Sequence, residues 1–405
     1  MPEFTAMVAG LAGAGLLDRY VTSATPSVGG VLGRIARGPG PIGSSVRAVL
    51  GRRPDPPGVS AERIRHRAVW LDVGAALSLK MPSPRLAKPA SARALARRDR
   101  RFDRALAREM SDRDAAVIGA VGGSLITFER AQQQAVTSFL EYPTVHYREA
   151  QRIVREEAAL RPEFAVTLRH ERLPRRLLQR VDRELALADF IFVFSTYHER
   201  SFRKAGIPPE KLVLTPLGVD VELFSPRPRG DHGVFRVLFV GQIGQQKGLS
   251  YLLDGFEAAA LPDAELLLAG VPVGSTAPWR DRPRVRHLSH RPRNDLPKVY
   301  AGADVYVLPS LFEGFLLTAL EAMACGLPVI VSEHTFAHDV IEDGVNGYVI
   351  PIRDKEAIAE RLRHLHSNPR LREEMGQAAR RTAERFTWRR YGERIASAVS
   401  ERAGS

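Results

Sequence analysis

A single cysteine, Cys325, stands in 405 residues. One thiol excludes a disulfide framework and a cysteine-based metal site, and Cys325 is expected to pack as a small apolar residue on a helix. Long apolar runs are missing as well. No stretch of about 18 apolar residues occurs, which argues against a membrane-spanning helix. The first residues lack a basic region followed by an apolar core, so no secretory signal is expected and the cytoplasm is the default location. Aromatic residues make up only 7% of the chain, and no RNA- or DNA-binding motif appears. Nucleic acid therefore ranks low among partners.

Positive charge is what the chain has in excess, with 59 Lys and Arg against 46 Asp and Glu and a net charge of +13. Such a balance suits nucleic acid, anionic lipid or a phosphate-rich substrate. An arginine- and alanine-rich composition also follows from a GC-rich genome and then needs no partner. The charge is concentrated. Between Arg85 and Arg108 nine basic residues face two acidic ones, Asp99 and Asp103, while Leu95, Phe102 and Leu106 recur at helical spacing. Two readings stay open. A basic amphipathic helix can lie on the anionic inner face of the cell membrane, making the protein peripheral there. Alternatively, the apolar stripe faces the protein's own core and the arginines are solvated.

The length predicts two domains of about 150–200 residues. The C-terminal half reads as strands alternating with helices. Strands are expected at Phe235–Val240, Ala264–Ala269, Val305–Leu308 and Val329–Val331. Helices are expected at Leu249–Ala260, Asp295–Ala301, Glu356–Ser367, Pro369–Arg385 and Arg390–Ala398. This alternation predicts an α/β fold with a parallel sheet. The first half is less regular. A helix is expected over Thr5–Leu17, a strand over Asp18–Thr22, and a long Gly- and Pro-rich loop over 24–60. Further strands are expected at Ala115–Ile118, Ala135–Leu140 and Phe190–Phe194.

The most informative stretch runs from Leu311 to Pro328. Glu313 sits beside Gly314 in a loop after a strand, and Glu321 stands eight residues on, along the following helix. A helix start offers free N–H groups and the positive end of the dipole, which suits an anion such as a diphosphate. Eight residues span about 12 Å if helical, so two acids at that spacing can meet opposite ends of one long ligand.

This segment resembles the Glu-x7-Glu signature of glycosyltransferase family 4. The likeness extends from Tyr300-Ala301-Gly302-Ala303-Asp304 through Glu313-Gly314-Phe315 and Glu321-Ala322-Met323-Ala324 to Gly344-Val345-Asn346-Gly347-Tyr348. The resemblance implies a retaining, nucleotide-sugar-dependent enzyme with the GT-B fold, two Rossmann-like domains with parallel sheets facing across a cleft. It implies an acceptor-binding domain over 1–207, a donor-binding domain over 208–386, and a C-terminal helix over 387–405 crossing back to the first. The boundary falls near Ile207-Pro208-Pro209. One departure is that the chain opens in a helix, where family members begin with a strand and a Gly-containing loop. Either the start codon is placed too late or that strand is lacking.

The resemblance also assigns residues. Glu321 is similar to the carboxylate that binds the ribose hydroxyls, and Glu313 to the one near the donor sugar. The N–H groups of Phe315, Leu316 and Leu317, with Gly314, would face sugar and phosphate. Leu316 stands where the family often has glycine and would narrow the pocket. In Gly241-Gln242-Ile243-Gly244-Gln245-Gln246-Lys247, Lys247 would hold the diphosphate as a point charge. Gln242 occupies the place of a usual arginine. His146 falls where the family has a histidine near the reacting sugar, with a purely structural role equally open. Asp339 resembles an acid after a second loop, with Thr335-Phe336 replacing the usual glycines. Gly122-Gly123-Ser124 either admits substrate or makes a tight turn. Asp112-Arg113-Asp114 precedes a strand and reads as a solvated turn, so neither a metal nor another cofactor is expected. The implied function is transfer of a hexose from a UDP- or GDP-sugar to a sugar or lipid-linked hydroxyl acceptor, in cell-surface polysaccharide or glycolipid synthesis. The alternative is a non-catalytic nucleotide-sugar-binding homologue, which Gln242 and the missing strand favour.

Overall fold

The computed structural model describes residues 2–22, 55–66, 84–168, 174–228, 233–289 and 291–403, with side chains of the helix at 84–109 described from Arg97 onward. Most of the expected loop at 24–60 lies outside the described residues, as does the Leu95 side chain. The chain forms two compact units, Met1–Tyr142 with Pro174–Phe192 and Trp388–Ser405, and Pro143–Leu173 with Val193–Thr387. The segments 143–173 and 193–207, expected with the first domain, thus group with the second unit. Local packing explains why: Gly314 abuts Pro143 and Thr144, and Gln245 binds the buried Glu157.

In the first unit, the helix Pro2–Gly13 both starts and ends earlier than the expected Thr5–Leu17. It stops at Gly13-Ala14-Gly15, where Gly15 has φ +73°. Strand β1 (Tyr20–Thr22) pairs in parallel with β2 (Ile64–His66). Strands β3 (Ala116–Ala120), β4 (Thr137–Glu141) and β5 (Phe190–Val193) pair in parallel in that order. The helix Trp388–Arg402 packs on Pro2–Gly13 through glycines. A Cβ on Gly10 would lie 2.3 Å from the Gly392 carbonyl oxygen, so only two glycines allow this approach.

The helix Pro84–Glu109 turns Asp103 and Ala107 inward, and Met110 directly after it is buried as well. Asp103 is fully buried and caps the helix Leu125–Gln133, accepting from the N–H groups of Ile126 (2.9 Å) and Thr127 (2.8 Å). It also pairs with Arg180. Phe102 and Leu106 are half-buried beside this face, which agrees with the inward reading of the stripe. Arg97, Arg100, Arg101, Arg104 and Arg108 are exposed on the other side. The Gly122–Ser124 turn is capped by the protein itself: Glu184 accepts from Gly122 N–H (2.5 Å) and Ser124 N–H (2.9 Å). Asp114 pairs with Arg19 and accepts from Ser111 N–H.

The second unit begins its strands with β6 (Leu212–Leu214) and then builds a six-stranded sheet. Its members are β7 (Phe235–Val240), β8 (Ala264–Ala269), β9 (Val285–Leu288), β10 (Val305–Leu308), β11 (Val329–Ser332) and β12 (Gly347–Ile350). All pairs are parallel, in the order β12-β11-β10-β7-β8-β9. Apart from Arg236, half-buried in β7, and Ser332 at the end of β11, the central strands are apolar on both faces and buried, as a sheet sandwiched by helices requires. The chain runs from β7 outward through β8 and β9, then returns to the other side of β7 for β10, β11 and β12. The order therefore reverses between β7 and β10. Ligands of open α/β sheets bind beyond the carboxyl ends of the strands at such a switch point.

Candidate functional site

Two loops leave that switch point. One follows β7 from Gly241 to Gly248; the other follows β10 from Pro309 to Leu316. Close packing locks them together. Gly248 has φ +71°, and a Cβ there would sit 1.9 Å from the Pro309 carbonyl oxygen. Leu311 N–H donates to the Gln246 carbonyl at 2.9 Å. Lys247 and Glu313, 66 residues apart, form an ion pair with only 20% and 13% of their side chains exposed. Gln242 is exposed at the mouth of the first loop.

The second loop feeds the helix Leu317–Ala324. No side chain caps its N-terminus, where Leu316 is the cap residue with φ −96° and ψ 78°. The first N–H groups of this helix thus remain available to an anion. The Phe315 ring lies tilted against Phe336 with centroids 4.8 Å apart, and Leu316 is buried to 2% exposure. Phe336, fully buried, fills space that glycines would leave open, and Thr335 caps the next short turn through Ala337 N–H.

Glu321 lies one turn after Thr318 on the same helix face. Its Oε2 accepts from the Tyr300 hydroxyl at 3.1 Å, and its Oε1 pairs with Arg293 at 3.1 Å. Burial pushes its carboxyl up to about 7, against the opposing pull of Arg293 and the Tyr300 hydrogen bond. Tyr306 steadies the same helix through Thr318 Oγ1 (2.7 Å).

A third layer supports the Glu313 loop. Ser195 Oγ donates to the Gly314 carbonyl (2.8 Å), and Glu313 N–H donates to the His334 carbonyl (3.0 Å). His334 stacks on Tyr197 at 4.6 Å, and burial lowers its imidazole below the usual range. Asp339 accepts from Thr196 N–H at 3.0 Å and so anchors the helix Thr196–Lys204. Burial raises its carboxyl. His146 is 2% exposed and caps the helix Tyr147–Leu160, its Nδ1 accepting from Arg148 N–H at 3.2 Å. Its ring packs on Tyr147 and Phe202.

The structure thus brings together Lys247, Glu313, Gly314 and the start of the Glu321 helix. Sequence reading missed Arg293, Tyr300, Ser195, Tyr197 and His334 as parts of this arrangement. Ser195 alone carried a local signal, a serine directly before a helix. A loop carrying Lys247, an uncapped helix start, a carboxylate in the loop before that helix and a second on the helix can together hold a polar ligand with an anionic centre and hydroxyls at both ends.

Residues 222–382 match the family Glycosyl transferases group 1. The α/β fold is that of GT-B glycosyltransferases. Sucrose-phosphate synthase from Thermosynechococcus elongatus aligns with a TM-score of 0.60 at 19% identity, covering 98% of this chain and 91% of that one. HepE of Anabaena in complex with UDP-glucose aligns with a TM-score of 0.59 at 18% identity, over 74% of this chain and 82% of that one. Among curated relatives, the D-inositol 3-phosphate glycosyltransferase of Saccharomonospora viridis is 32% identical over 201 residues, 43% of this chain and 46% of the relative. The putative colanic acid biosynthesis glycosyltransferase WcaL of Escherichia coli is 26% identical over 192 residues, 43% and 47% of the two chains. The chain thus spans about half the length of the curated relatives it matches.

Proposed function

We propose that the protein is a retaining glycosyltransferase that moves a hexose from a nucleotide-diphosphate sugar to a hydroxyl acceptor in cell-surface polysaccharide or glycolipid synthesis. The observation that carries this reading is the pairing of Lys247 with Glu313 beside the uncapped start of the Glu321 helix. In the proposed arrangement, the helix start and Lys247 receive the diphosphate. Glu321 accepts from the ribose hydroxyls, and Glu313 from hydroxyls of the donor sugar. The bond from the sugar's anomeric carbon to the diphosphate breaks, and its electron pair leaves on the phosphate oxygen. The acceptor oxygen bonds the same carbon from the same face, and its proton passes to the departing diphosphate. Fixed donors stabilising that developing charge supply most of the rate. No metal is required in this scheme.

A neighbour and a relative support it: the aligned HepE structure is in complex with UDP-glucose, and WcaL is named for colanic acid biosynthesis. Transfer of radiolabelled hexose from UDP- and GDP-sugars to a panel of sugar and lipid-linked acceptors is the test. Binding of a nucleotide sugar without transfer or hydrolysis would leave the non-catalytic binder, which the exposed Gln242 in place of an arginine favours.

The acceptor side of the reading includes a membrane surface. Among the described residues no helix is long and apolar enough to cross a membrane. The exposed arginines at 97, 100, 101, 104 and 108 instead form a basic face, each worth about 1 kcal/mol near anionic lipid. Co-sedimentation with phosphatidylglycerol vesicles should fall with salt and with R97E/R101E/R104E. Equal sedimentation of the variant would reduce this helix to scaffold.

A further inference from the structure

Both oxygens of Glu321 are engaged in the free protein, by partners of unequal mobility. Tyr300 is fully buried, and its hydroxyl also reaches the Thr318 carbonyl at 3.1 Å, so packing fixes it. Arg293 stands on a single helical turn, Arg293–Asp295, with 40% of its side chain exposed. Its guanidinium lies over the Phe224 ring, 5.0 Å from the centre. A vicinal diol is best held by both oxygens of a carboxylate. Only Arg293 is placed to give way.

We propose that Arg293 is a positioning residue that orients the Glu321 carboxylate for the nucleotide and yields Oε1 to a ribose hydroxyl when the donor binds. The proposal rests on the donor-site reading above. Arg293 does a second thing: it opposes the burial that favours a neutral Glu321. The other charged or titratable groups around Glu321 are accounted for. Tyr300 and Tyr306 are buried and held neutral, well above the usual phenol range. Cys325 acts on Tyr300, and Glu313, which acts on Tyr306, is paired with Lys247. Arg380, packed on the end of the same helix, donates to the carbonyls of Val221, Phe224 and Ala324. Without Arg293, Glu321 takes up its proton at higher pH, and a protonated carboxyl accepts one hydrogen bond fewer.

Calorimetric titration of the full chain with UDP tests this, with wild type, R293A and R293K each measured near pH 6 and near pH 9. The ratio of variant to wild-type affinity cancels the titration of the nucleotide's own phosphate. For R293A, the expected ratio is a loss of about tenfold near pH 6, one pKa unit's worth, shrinking to within about twofold near pH 9. R293K should restore most of the wild-type profile. A ratio that is the same at both pH values overturns the proposal: near one, Arg293 is an ordinary surface ion pair; uniformly low, it is a direct nucleotide ligand. A wild type that binds none of UDP, GDP and ADP overturns the donor-site reading itself.

Discussion

Lys247 cannot serve Glu313 and a diphosphate equally, and that competition makes a sharp prediction. In the free protein the lysine is committed to Glu313, with both side chains mostly shielded from water. A charge-assisted hydrogen bond from lysine to phosphate contributes about 1.5–3 kcal/mol. Part of it is offset because the Glu313 pair must be loosened or shared. A partly exposed ion pair is worth about 0.5–1 kcal/mol. K247A should therefore weaken UDP binding by a net of about 1–2 kcal/mol, or about 5–30-fold. E313Q should act the other way. It removes the competing acceptor and a negative charge beside the diphosphate, so UDP should bind about 2–5-fold tighter, a gain of about 0.5–1 kcal/mol. Transfer from the intact donor should nevertheless fall by about 10²–10³, since the sugar loses its carboxylate in the transition state. Calorimetry with UDP and GDP, beside single-turnover transfer, measures both. If the two substitutions weaken UDP binding alike, the pair is a structural clamp and its division into a phosphate end and a sugar end is wrong. If K247A leaves affinity unchanged, the lysine is not a phosphate ligand.

Other consequences are read as stability. G248A forces a Cβ at φ +71° to within 1.9 Å of the Pro309 carbonyl oxygen, so about 2–4 kcal/mol should be lost, visible as a lower urea midpoint; an unchanged midpoint would mean the two loops are not locked. D103A leaves Arg180 and the N–H groups of Ile126 and Thr127 without their shared carboxylate, and should cost about 3–5 kcal/mol in the same assay. A loss below about 1 kcal/mol would show that water replaces it readily. Glu321 holds its proton up to about 7 when folded, against an ordinary 4.5. Between those values the native state binds more protons than the unfolded one, so the stability it contributes is full below about 4.5, falls by roughly 3 kcal/mol as pH rises to about 7, and is level above. E321Q should remove that slope, and an identical pH–stability curve for the variant would refute the assignment.

The second unit was legible because its strands are short apolar runs bounded by glycine or proline. Phe235–Val240, Ala264–Ala269 and Val305–Leu308 have the bounds the pattern predicts. β9 and β12 were not picked out. β9 carries the exposed Arg286 and His287 at the sheet edge and lacks a strand's composition, while β12 is strand-like at Tyr348-Val349-Ile350 but only four residues long and opens with Gly347. Helix ends drifted by one to several residues for the usual reason that caps and frayed turns carry weak signals. In the site, Glu313 and Lys247 stood out because the resemblance to glycosyltransferase family 4 marks the loops after β10 and β7 that carry them. Arg293 did not, because nothing near it in sequence marks a partner for Glu321. Its pairing exists only once β10 is laid beside β7 and the segment before the helix Leu296–Ala301 returns to the sheet. His146 shows the converse. Its place after β4 suggested chemistry, while its imidazole is buried as a helix cap.

A carboxylate beside a loop proposed to receive a diphosphate poses a problem that the fold answers in the same way twice. Glu313 and Glu321 would each repel a diphosphate and each lose solvation on burial. Each is instead paired with one cation from a neighbouring segment, Lys247 from the β7 loop and Arg293 from the turn before the helix Leu296–Ala301. Paired acids can be buried and aimed without a ligand present. The cations are the more exposed members of both pairs: 20% against 13% for the first, and 40% against 4% for the second. In each pair the partner freer to move is therefore the cation. An incoming diphosphate sugar would draw Lys247 toward its phosphates and displace Arg293 from Glu321, leaving two acids already in position for hydroxyls at the ligand's two ends. A site with the acids exposed and the cations buried would have to rearrange the carboxylates themselves. The burial order of these four side chains argues for a donor site preformed on its acidic side and adjustable on its basic side.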